Sequence, residues 1–225
     1  MPRISPGNWP AERQVRADIA ARLKDRAARA GLTVPDSLAN PLAIYYEVLD
    51  RWNEKINLTS LSDPDEAVDR LLLEPVAAAA HLPLKPRLMD LGSGGGSPAI
   101  PLALALNAPE LVMVESRHRK AAFLREALRE VGIPGAVETV RFEELARGRS
   151  FSRAMDVVSM RAVRTDQLAL EAIAAFLRAG GIAALFQGPQ PSARPEFLPP
   201  SLRRSSVHAL LKFSNRQLIC LERAD

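Results

Sequence analysis

The stretch Leu88-Met89-Asp90-Leu91-Gly92-Ser93-Gly94-Gly95-Gly96 places a short apolar run directly before a glycine-rich turn. The apolar run is typical of a strand buried on both faces of a parallel sheet. Glycine takes positive φ without steric cost and lets a ligand approach the backbone closely. Ser97-Pro98 then has the residue types of a helix cap and a first helical residue, and the amides of such a helix start can bind a polar or anionic group. The stretch therefore predicts a strand, turn and helix with a ligand bound at the turn.

Short strands alternate with helices on the C-terminal side of this unit. The predicted strands are Arg87–Leu91, Leu111–Glu115, Ala136–Val140, Met155–Met160 and Ile182–Phe186, and the predicted helices are Pro98–Leu106, Arg117–Val131 and Gln167–Arg178. Strands separated by helices of this length predict right-handed βαβ units with helices on both faces of the sheet. Ser205–Lys212 and Gln217–Glu222 predict a terminal antiparallel hairpin. The fold class is α/β, Rossmann-like, with a mostly parallel sheet.

The first 85 residues show a different pattern, without a convincing strand. Helices are predicted over Pro10–Ala30, over Leu42–Ile56 and from Asp63 to about Ala80. We therefore expect an N-terminal helical extension, residues 1–85, packed on a core domain formed by residues 86–225.

Composition limits the functional class. The chain has 225 residues, of which 47% are hydrophobic and 25% charged, so it can bury a sizeable core. Cys220 is the only cysteine, which excludes an internal disulfide and a cysteine-based zinc cluster. We expect a soluble, cytoplasmic protein, because no apolar run is long enough to span a membrane and the N-terminus does not resemble a secretory signal. A net charge of +4 is compatible with RNA binding, and equally with a compositional preference for arginine.

The spacing of the turn residues distinguishes two kinds of cofactor. Dinucleotide-binding turns have a third glycine at the position of Ser97, which disfavours a nicotinamide cofactor. An acid, one residue and then alternating glycines is common in methyl-donor enzymes, and Asp90, Gly92, Gly94 and Gly96 match that spacing. Asp90 would face the cationic methionine end of S-adenosylmethionine, directly or through water. An ordinary tight turn remains the alternative.

Glu115 ends the second predicted strand, where an acid hydrogen-bonds the ribose hydroxyls of a bound nucleoside. The alternative is a surface carboxylate near Arg117 and Arg119.

Two segments, Trp52–Thr59 and Asp90–Ala103, resemble the small-subunit (16S) ribosomal RNA guanine-N7 methyltransferase family, also called the glucose-inhibited division protein B family. The resemblance covers roughly residues 40–225. Further matching segments are Glu115-Ser116, Arg119-Lys120, Phe123-Leu124, Arg141–Glu144, Arg161–Val163 and Arg216–Ile219.

The resemblance implies methyl transfer from S-adenosylmethionine to N7 of a guanine in 16S rRNA, with the small ribosomal subunit or its RNA as partner. It implies donor contacts by Gly92, Ser97, Phe142, Glu143 and Arg161. Guanine N7 carries a lone pair and no proton, so alignment suffices and a general base is not required. No residue is therefore assigned a catalytic role with certainty, Arg161 being the candidate, and we expect no metal.

The sequence departs from the family pattern at several positions. They are Leu71, Glu74-Pro75, Ser97, Ala99 and Gln187, the last of which stands where the family usually has a lysine. These departures leave open the methylation of a different RNA or of a small molecule. A non-catalytic ribosome-assembly or RNA-binding module is a further alternative, and so is a nicotinamide-dependent oxidoreductase, which Ser97 disfavours.

Basic residues at strand ends are candidates for RNA binding. Arg117, Arg119, Lys120 and Arg164, together with Arg161, follow carboxyl ends of parallel strands and should share one face. The alternative is a set of solvated arginines paired with local acids. Tyr45 and Trp52 are candidates to stack a base or, more commonly at helical spacing, to form core. The sequence does not determine the oligomeric state, and we expect a monomer.

Overall fold

The computed structural model describes residues 9–163, 165–188 and 198–224, with side chains described from residue 13 onward. Its centre is a seven-stranded sheet in the order β3-β2-β1-β4-β5-β7-β6. The strands are β1 (Arg87–Leu91), β2 (Glu110–Val114), β3 (Gly135–Glu138), β4 (Met155–Arg161), β5 (Leu177–Gln187), β6 (Leu202–Ala209) and β7 (Gln217–Arg223). The first five are parallel, whereas β7 is antiparallel to β5 and to β6. The predicted α/β fold and its terminal hairpin are confirmed.

The helices lie before the sheet and between its strands. They are α1 (Trp9–Ala30), α2 (Asp36–Asn53), α3 (Pro64–Val68), a π-helical turn (Asp69–Leu73), α4 (Glu74–Ala79), α5 (Ala99–Leu106), α6 (His118–Val131), α7 (Phe142–Arg147) and α8 (Gln167–Phe176). In the described part of the chain, no helix has the length and apolar character needed to cross a membrane.

The sheet buries both faces, because successive side chains of a strand point to opposite sides. On β1, Leu88 belongs to one hydrophobic cluster and Met89 to the other. The first cluster includes side chains of α1, α2, α4, α5 and α6, and the second includes side chains of α7 and α8. Leu23 of α1 and Tyr45 of α2 are fully buried in the first cluster, so the N-terminal helices share a core with the sheet. The division into residues 1–85 and 86–225 stays a prediction.

The order of the strands creates a crevice between β1 and β4. The chain runs outward from β1 to β2 and β3, and then returns to place β4 on the other side of β1. At such a switch point the loops that follow the two strands diverge, and ligands bind between them. Here these loops begin at Gly92 and at Ala162.

Several predicted boundaries were wrong. Helix α2 begins at Asp36 rather than at Leu42, and α5 begins at Ala99 with Pro98, not Ser97, at its N-cap position. Helix α8 ends at Phe176 rather than at Arg178, and β5 begins at once with Leu177 paired to Met155. Regular pairing resumes only at Ile182, because the intervening residues form a bulge that contains Gly180 at φ +69°. The short helix α7 was not predicted.

Candidate active site

A cavity of about 570 Å³ lies at the β1–β4 crevice. Its size is within the range of roughly 300–1,000 Å³ that is typical of small-molecule sites. The glycine-rich loop, the start of α6, the end of β4, the π-helical turn and the loop after α2 all contribute to its wall. The lining residues are Leu49, Asn57–Leu61, Arg70, Leu71, Gly92–Gly95, Ser97, Glu115, Arg117, Lys120 and Arg161–Val163.

The glycines of the loop have different surroundings. Gly92 has φ +72°, and a Cβ there would lie 2.6 Å from Val163 Cγ2. Gly94 has φ +51°, and a Cβ there would meet only the Gly92 carbonyl at 3.7 Å, so its open side is the cavity. Gly96 has φ +84° and faces the core instead, where a Cβ would lie 3.2 Å from the Tyr45 ring. Gly92 and Gly94 therefore lie where a ligand can approach, whereas Gly96 lets the loop pack on α2.

Glu115 links the glycine-rich loop to the segment that leads from β2 into α6. Its Oε2 accepts a hydrogen bond from the Gly94 amide at 2.9 Å, and its Oε1 accepts one from the Arg117 amide at 2.8 Å. The residue is 7% exposed and lines the cavity. Each carboxylate oxygen has a further lone pair, so the same carboxylate can also accept hydrogen bonds from ligand hydroxyls.

Asp90 lies behind the loop and does not line the cavity. It is 1% exposed, and its Oδ1 accepts a hydrogen bond from the Ser159 hydroxyl at 2.6 Å. Burial raises the pKa of Asp90 to about 6, although the Ser159 and Ser93 hydroxyls and the charge of Arg161 oppose this shift. Its predicted role opposite a cationic ligand group is thus limited to an electrostatic effect or a contact through water, and it stays a prediction.

The raised pKa of Asp90 makes folding stability depend on pH. The folded protein holds the proton up to about pH 6, whereas the unfolded chain releases it near the ordinary value of 3.8, so ionisation destabilises the fold as pH rises through this window. We expect Asp90→Asn to leave the free energy of unfolding unchanged near pH 3 and to raise it by up to about 3 kcal/mol at pH 7. Urea unfolding at several pH values measures this difference. Substitution of the exposed Asp50 by Asn is the control, and a difference that does not change with pH would contradict the account.

The Trp52–Thr59 segment forms the loop on the opposite wall. Asn53 is the last residue of α2. Its side-chain Oδ1 accepts hydrogen bonds from the backbone amides of Leu58 and Thr59, both at 2.9 Å. Trp52 packs edge-on against Phe123 at a centroid distance of 6.0 Å. Tyr45 is fully buried and donates to the Gly95 carbonyl. The side chains of Trp52 and Tyr45 therefore belong to the hydrophobic core and hold the loops in position. Neither residue lines the cavity.

The π-helical turn presents two backbone carbonyls to the cavity. Pro75 has no amide hydrogen, so the carbonyl of Leu71, four residues earlier, lacks its helical donor. The Ser97 hydroxyl donates to that carbonyl at 2.8 Å. The amide of Glu74 bonds to Asp69 instead of Arg70, and the Arg70 carbonyl accepts from the Arg161 guanidinium. The departures at Pro75 and Ser97 thus compensate each other, and a proline inside a predicted helix was the sequence signal for this turn.

Arg161 is fixed at the end of β4 by buried partners. Its Nη2 lies 3.1 Å from Glu74 Oε2, and its guanidinium stacks on the Phe186 ring at 4.6 Å. Arg216 Nε lies 3.4 Å from the other oxygen of Glu74. Burial lowers the pKa of Arg161 to about 10, while Glu74 opposes this shift, so the guanidinium stays charged at neutral pH. Burial also raises the pKa of Glu74, against the charges of the two arginines.

The remaining predicted residues divide between the cavity and its surroundings. Arg117 and Lys120 line the cavity together with Arg161, whereas Arg119 is exposed and does not. Phe142 and Glu143 open α7 and lie outside the lining, because Phe142 packs toward the second hydrophobic cluster. Their predicted donor contacts stay predictions. Arg164 lies outside the described residues.

The model of a protein family described as GidB, rRNA small subunit methyltransferase G, matches residues 39–211. A ribosomal RNA small subunit methyltransferase G of Stenotrophomonas maltophilia is 38% identical over 173 residues, which are 76% of this chain and 74% of that protein. The protein of that name from Xanthomonas campestris is 34% identical and covers 86% of this chain and 88% of its own length.

Solved structures share the fold at low sequence identity. A mutant of MtNAS in complex with S-adenosylmethionine has a TM-score of 0.56 and 13% identity, and the match covers 98% of this chain and all of that one. A putative RNA methyltransferase of Pyrococcus horikoshii has a TM-score of 0.51 and 16% identity, with 80% and 98% of the chains covered. The structures show the fold, and the matched sequences show the family: the chain belongs to the GidB family of rRNA small subunit methyltransferase G.

Proposed function

We propose that this chain transfers a methyl group from S-adenosylmethionine to N7 of a guanine in 16S rRNA, with the small ribosomal subunit or its RNA as substrate. The observation that carries the proposal is the meeting of the open glycine loop, Glu115 and Arg161 around one cavity in a chain of this family. A function in ribosome modification also agrees with the expected cytoplasmic location.

The cavity fits the methyl donor in size and in the chemistry of its wall. The open side of Gly94 admits a ligand against the backbone, and the Glu115 carboxylate can accept hydrogen bonds from ribose hydroxyls. S-adenosylmethionine, when bound, supplies a methyl group on a positively charged sulfur. The buried Asp90 carboxylate, behind the loop, stabilises a nearby positive charge.

The residues around the cavity position a base and do not remove a proton. A guanine N7 lone pair attacks the methyl carbon as the bond from carbon to sulfur breaks, and no proton leaves N7 in this step. The rigid setting of Arg161, fixed by Glu74 and the Arg70 carbonyl, keeps the wall in place while the two reactants align. Arg117 and Lys120 supply positive charge for RNA phosphates at the cavity rim.

Replacement of Glu115 tests the nucleoside end of the cavity. We expect Glu115→Ala to weaken S-adenosylmethionine binding by about 1–3 kcal/mol, because hydrogen bonds to a charged acceptor are lost. Calorimetric titration measures the change. Glu110→Ala is a matched control, since Glu110 is the first residue of β2, at the end of the strand opposite to Glu115. Unchanged donor affinity in Glu115→Ala would assign the carboxylate a purely structural role, namely linking Gly94 to Arg117.

The substrate is tested with labelled S-adenosylmethionine. We expect label in 16S rRNA when the donor is incubated with the protein and small subunits, or deproteinised small-subunit RNA, from cells that lack this enzyme. Large-subunit RNA is the control and should stay unlabelled. Donor binding without label in 16S rRNA would favour another RNA or a small molecule as substrate, and failure to bind the donor would favour a non-catalytic RNA-binding module.

A further inference from the structure

A second, smaller cavity of about 140 Å³ adjoins the first at the ends of β4 and β5. Arg70 and the segment Arg161–Val163 line both cavities, so the two share a wall. The lining of the smaller cavity also includes Glu74, Phe186 and Gln187. The volume suits a single planar ring system and is too small for a complete nucleoside donor.

Three residues that line this smaller cavity carry unpartnered buried polar atoms. In the described part of the chain, the buried side-chain nitrogen and oxygen atoms without a hydrogen bond are Gln187 Nε2 and Oε1, Arg70 Nε and Glu74 Oε1. All three residues line the smaller cavity. Glu74 Oε1 has an ionic partner in Arg216, which leaves Gln187, only 6% exposed, and Arg70 as the open groups. Folded proteins leave few such atoms unpaired, so this cluster indicates a polar ligand.

The chemistry of these groups selects among the bases. The Gln187 carboxamide offers one acceptor and one pair of donor hydrogens, which can pair with the adjacent N–H and carbonyl of a purine or pyrimidine. An amide can turn over, so Gln187 alone would accept either guanine or adenine. Arg70 Nε is only a donor, and it requires an acceptor such as guanine O6 where adenine presents an amino group.

We propose that the smaller cavity holds the target guanine, turned out of the RNA, with its N1–H and O6 paired to the Gln187 carboxamide and its O6 also bound by Arg70 Nε. This inference rests on the proposed function and assigns its base-recognition site. The pairing uses the Watson–Crick edge and leaves N7 without a hydrogen bond, free to attack the methyl group. Phe186 and Met160 supply apolar surface for the ring. Enzymes that modify a base commonly bind it outside the stack and read it by that edge.

The test measures nucleotide binding separately from methyl transfer. Guanosine 5′-monophosphate and adenosine 5′-monophosphate are titrated into protein saturated with S-adenosylhomocysteine. We expect the wild type to bind the guanine nucleotide at least about tenfold more tightly. Gln187→Met, of similar shape, should lose about tenfold or more of that affinity and of kcat/KM on 16S rRNA, with unchanged affinity for S-adenosylhomocysteine. Gln167→Met, on the exposed start of α8, should match the wild type.

Two further measurements, thermal stability and base preference, test the pocket. Gln187→Met should melt at or above the wild-type temperature, because it removes two unpaired buried polar atoms. Arg70→Met, which removes the donor, should reduce the preference for guanine over adenine. If the wild type forms no 7-methylguanosine but shows a guanine preference that depends on Gln187, the proposed function fails and the base pocket stands. Equal binding of the two nucleotides, or a guanine preference unaltered in Gln187→Met, would overturn the pocket whatever the methylation result.

Discussion

Gly94→Val is expected to abolish S-adenosylmethionine binding while the protein still folds. A Cβ at Gly94 has only the Gly92 carbonyl within 4 Å, so a larger side chain would project into the cavity that the donor must fill. We expect the dissociation constant to rise more than about 100-fold, which corresponds to about 3 kcal/mol. Calorimetric titration with the donor measures this loss, and circular dichroism checks the fold.

Positive φ at Gly94 adds a strain that must be separated from the loss of space. Gly132→Val is the matched control, because Gly132 also has positive φ (+76°), has no atom within 4 Å of its Cβ position and ends α6 away from the cavity. The two variants should lose similar stability, and only Gly94→Val should lose donor binding. Normal donor affinity in Gly94→Val would refute the placement of the donor against this loop.

Glu74→Ala is expected to destabilise the fold by about 3–5 kcal/mol, because the substitution leaves a buried charge without its partner. Glu74 is 2% exposed and lies between Arg161 and Arg216, at 3.1 and 3.4 Å. Arg161 is itself only 13% exposed at its side chain, so water cannot replace the lost carboxylate. Urea unfolding near pH 7 measures the free energy of unfolding.

A surface ion pair gives the comparison for Glu74. Glu222 pairs with Arg203 at 2.9 Å, and the arginine side chain is 67% exposed. Glu222→Ala should therefore cost no more than about 1 kcal/mol. If Glu74→Ala and Glu222→Ala lowered the free energy of unfolding equally, the buried ion pairs around Arg161 would contribute no more to stability than an exposed ion pair.

The order of strands and helices follows from local patterns of apolar and polar residues, so it could be predicted from the sequence. The apolar run before Gly92 and the regular spacing of helices predicted the parallel sheet, whereas the strand order that places the crevice between β1 and β4 was seen only in the structure. Glu115 was located from its place at a strand end, although its bonds to two backbone amides became visible only in the structure.

Contacts between distant residues were not readable in this way. Glu74 and Arg161 are 87 positions apart, and no periodicity relates them. The Leu71 carbonyl lacks its helical donor because of Pro75, and it accepts a hydrogen bond from Ser97 instead. This contact could not be predicted without knowing that the π-helical turn faces the glycine-rich loop. Gln187 was visible as a departure from the family, but its unpaired carboxamide depends on the packing of β4, β5 and the π-helical turn around it.

The identity of the methylated nucleoside decides whether this chain methylates guanine N7 in 16S rRNA. Small subunits from cells that lack the family's enzyme are incubated with this protein and labelled S-adenosylmethionine, and their 16S rRNA is digested to nucleosides, with Gly94→Val as the inactive control. We expect the label to elute with 7-methylguanosine and to be absent from the control. Label in a different methylated nucleoside, or the same label from Gly94→Val, would contradict this expectation.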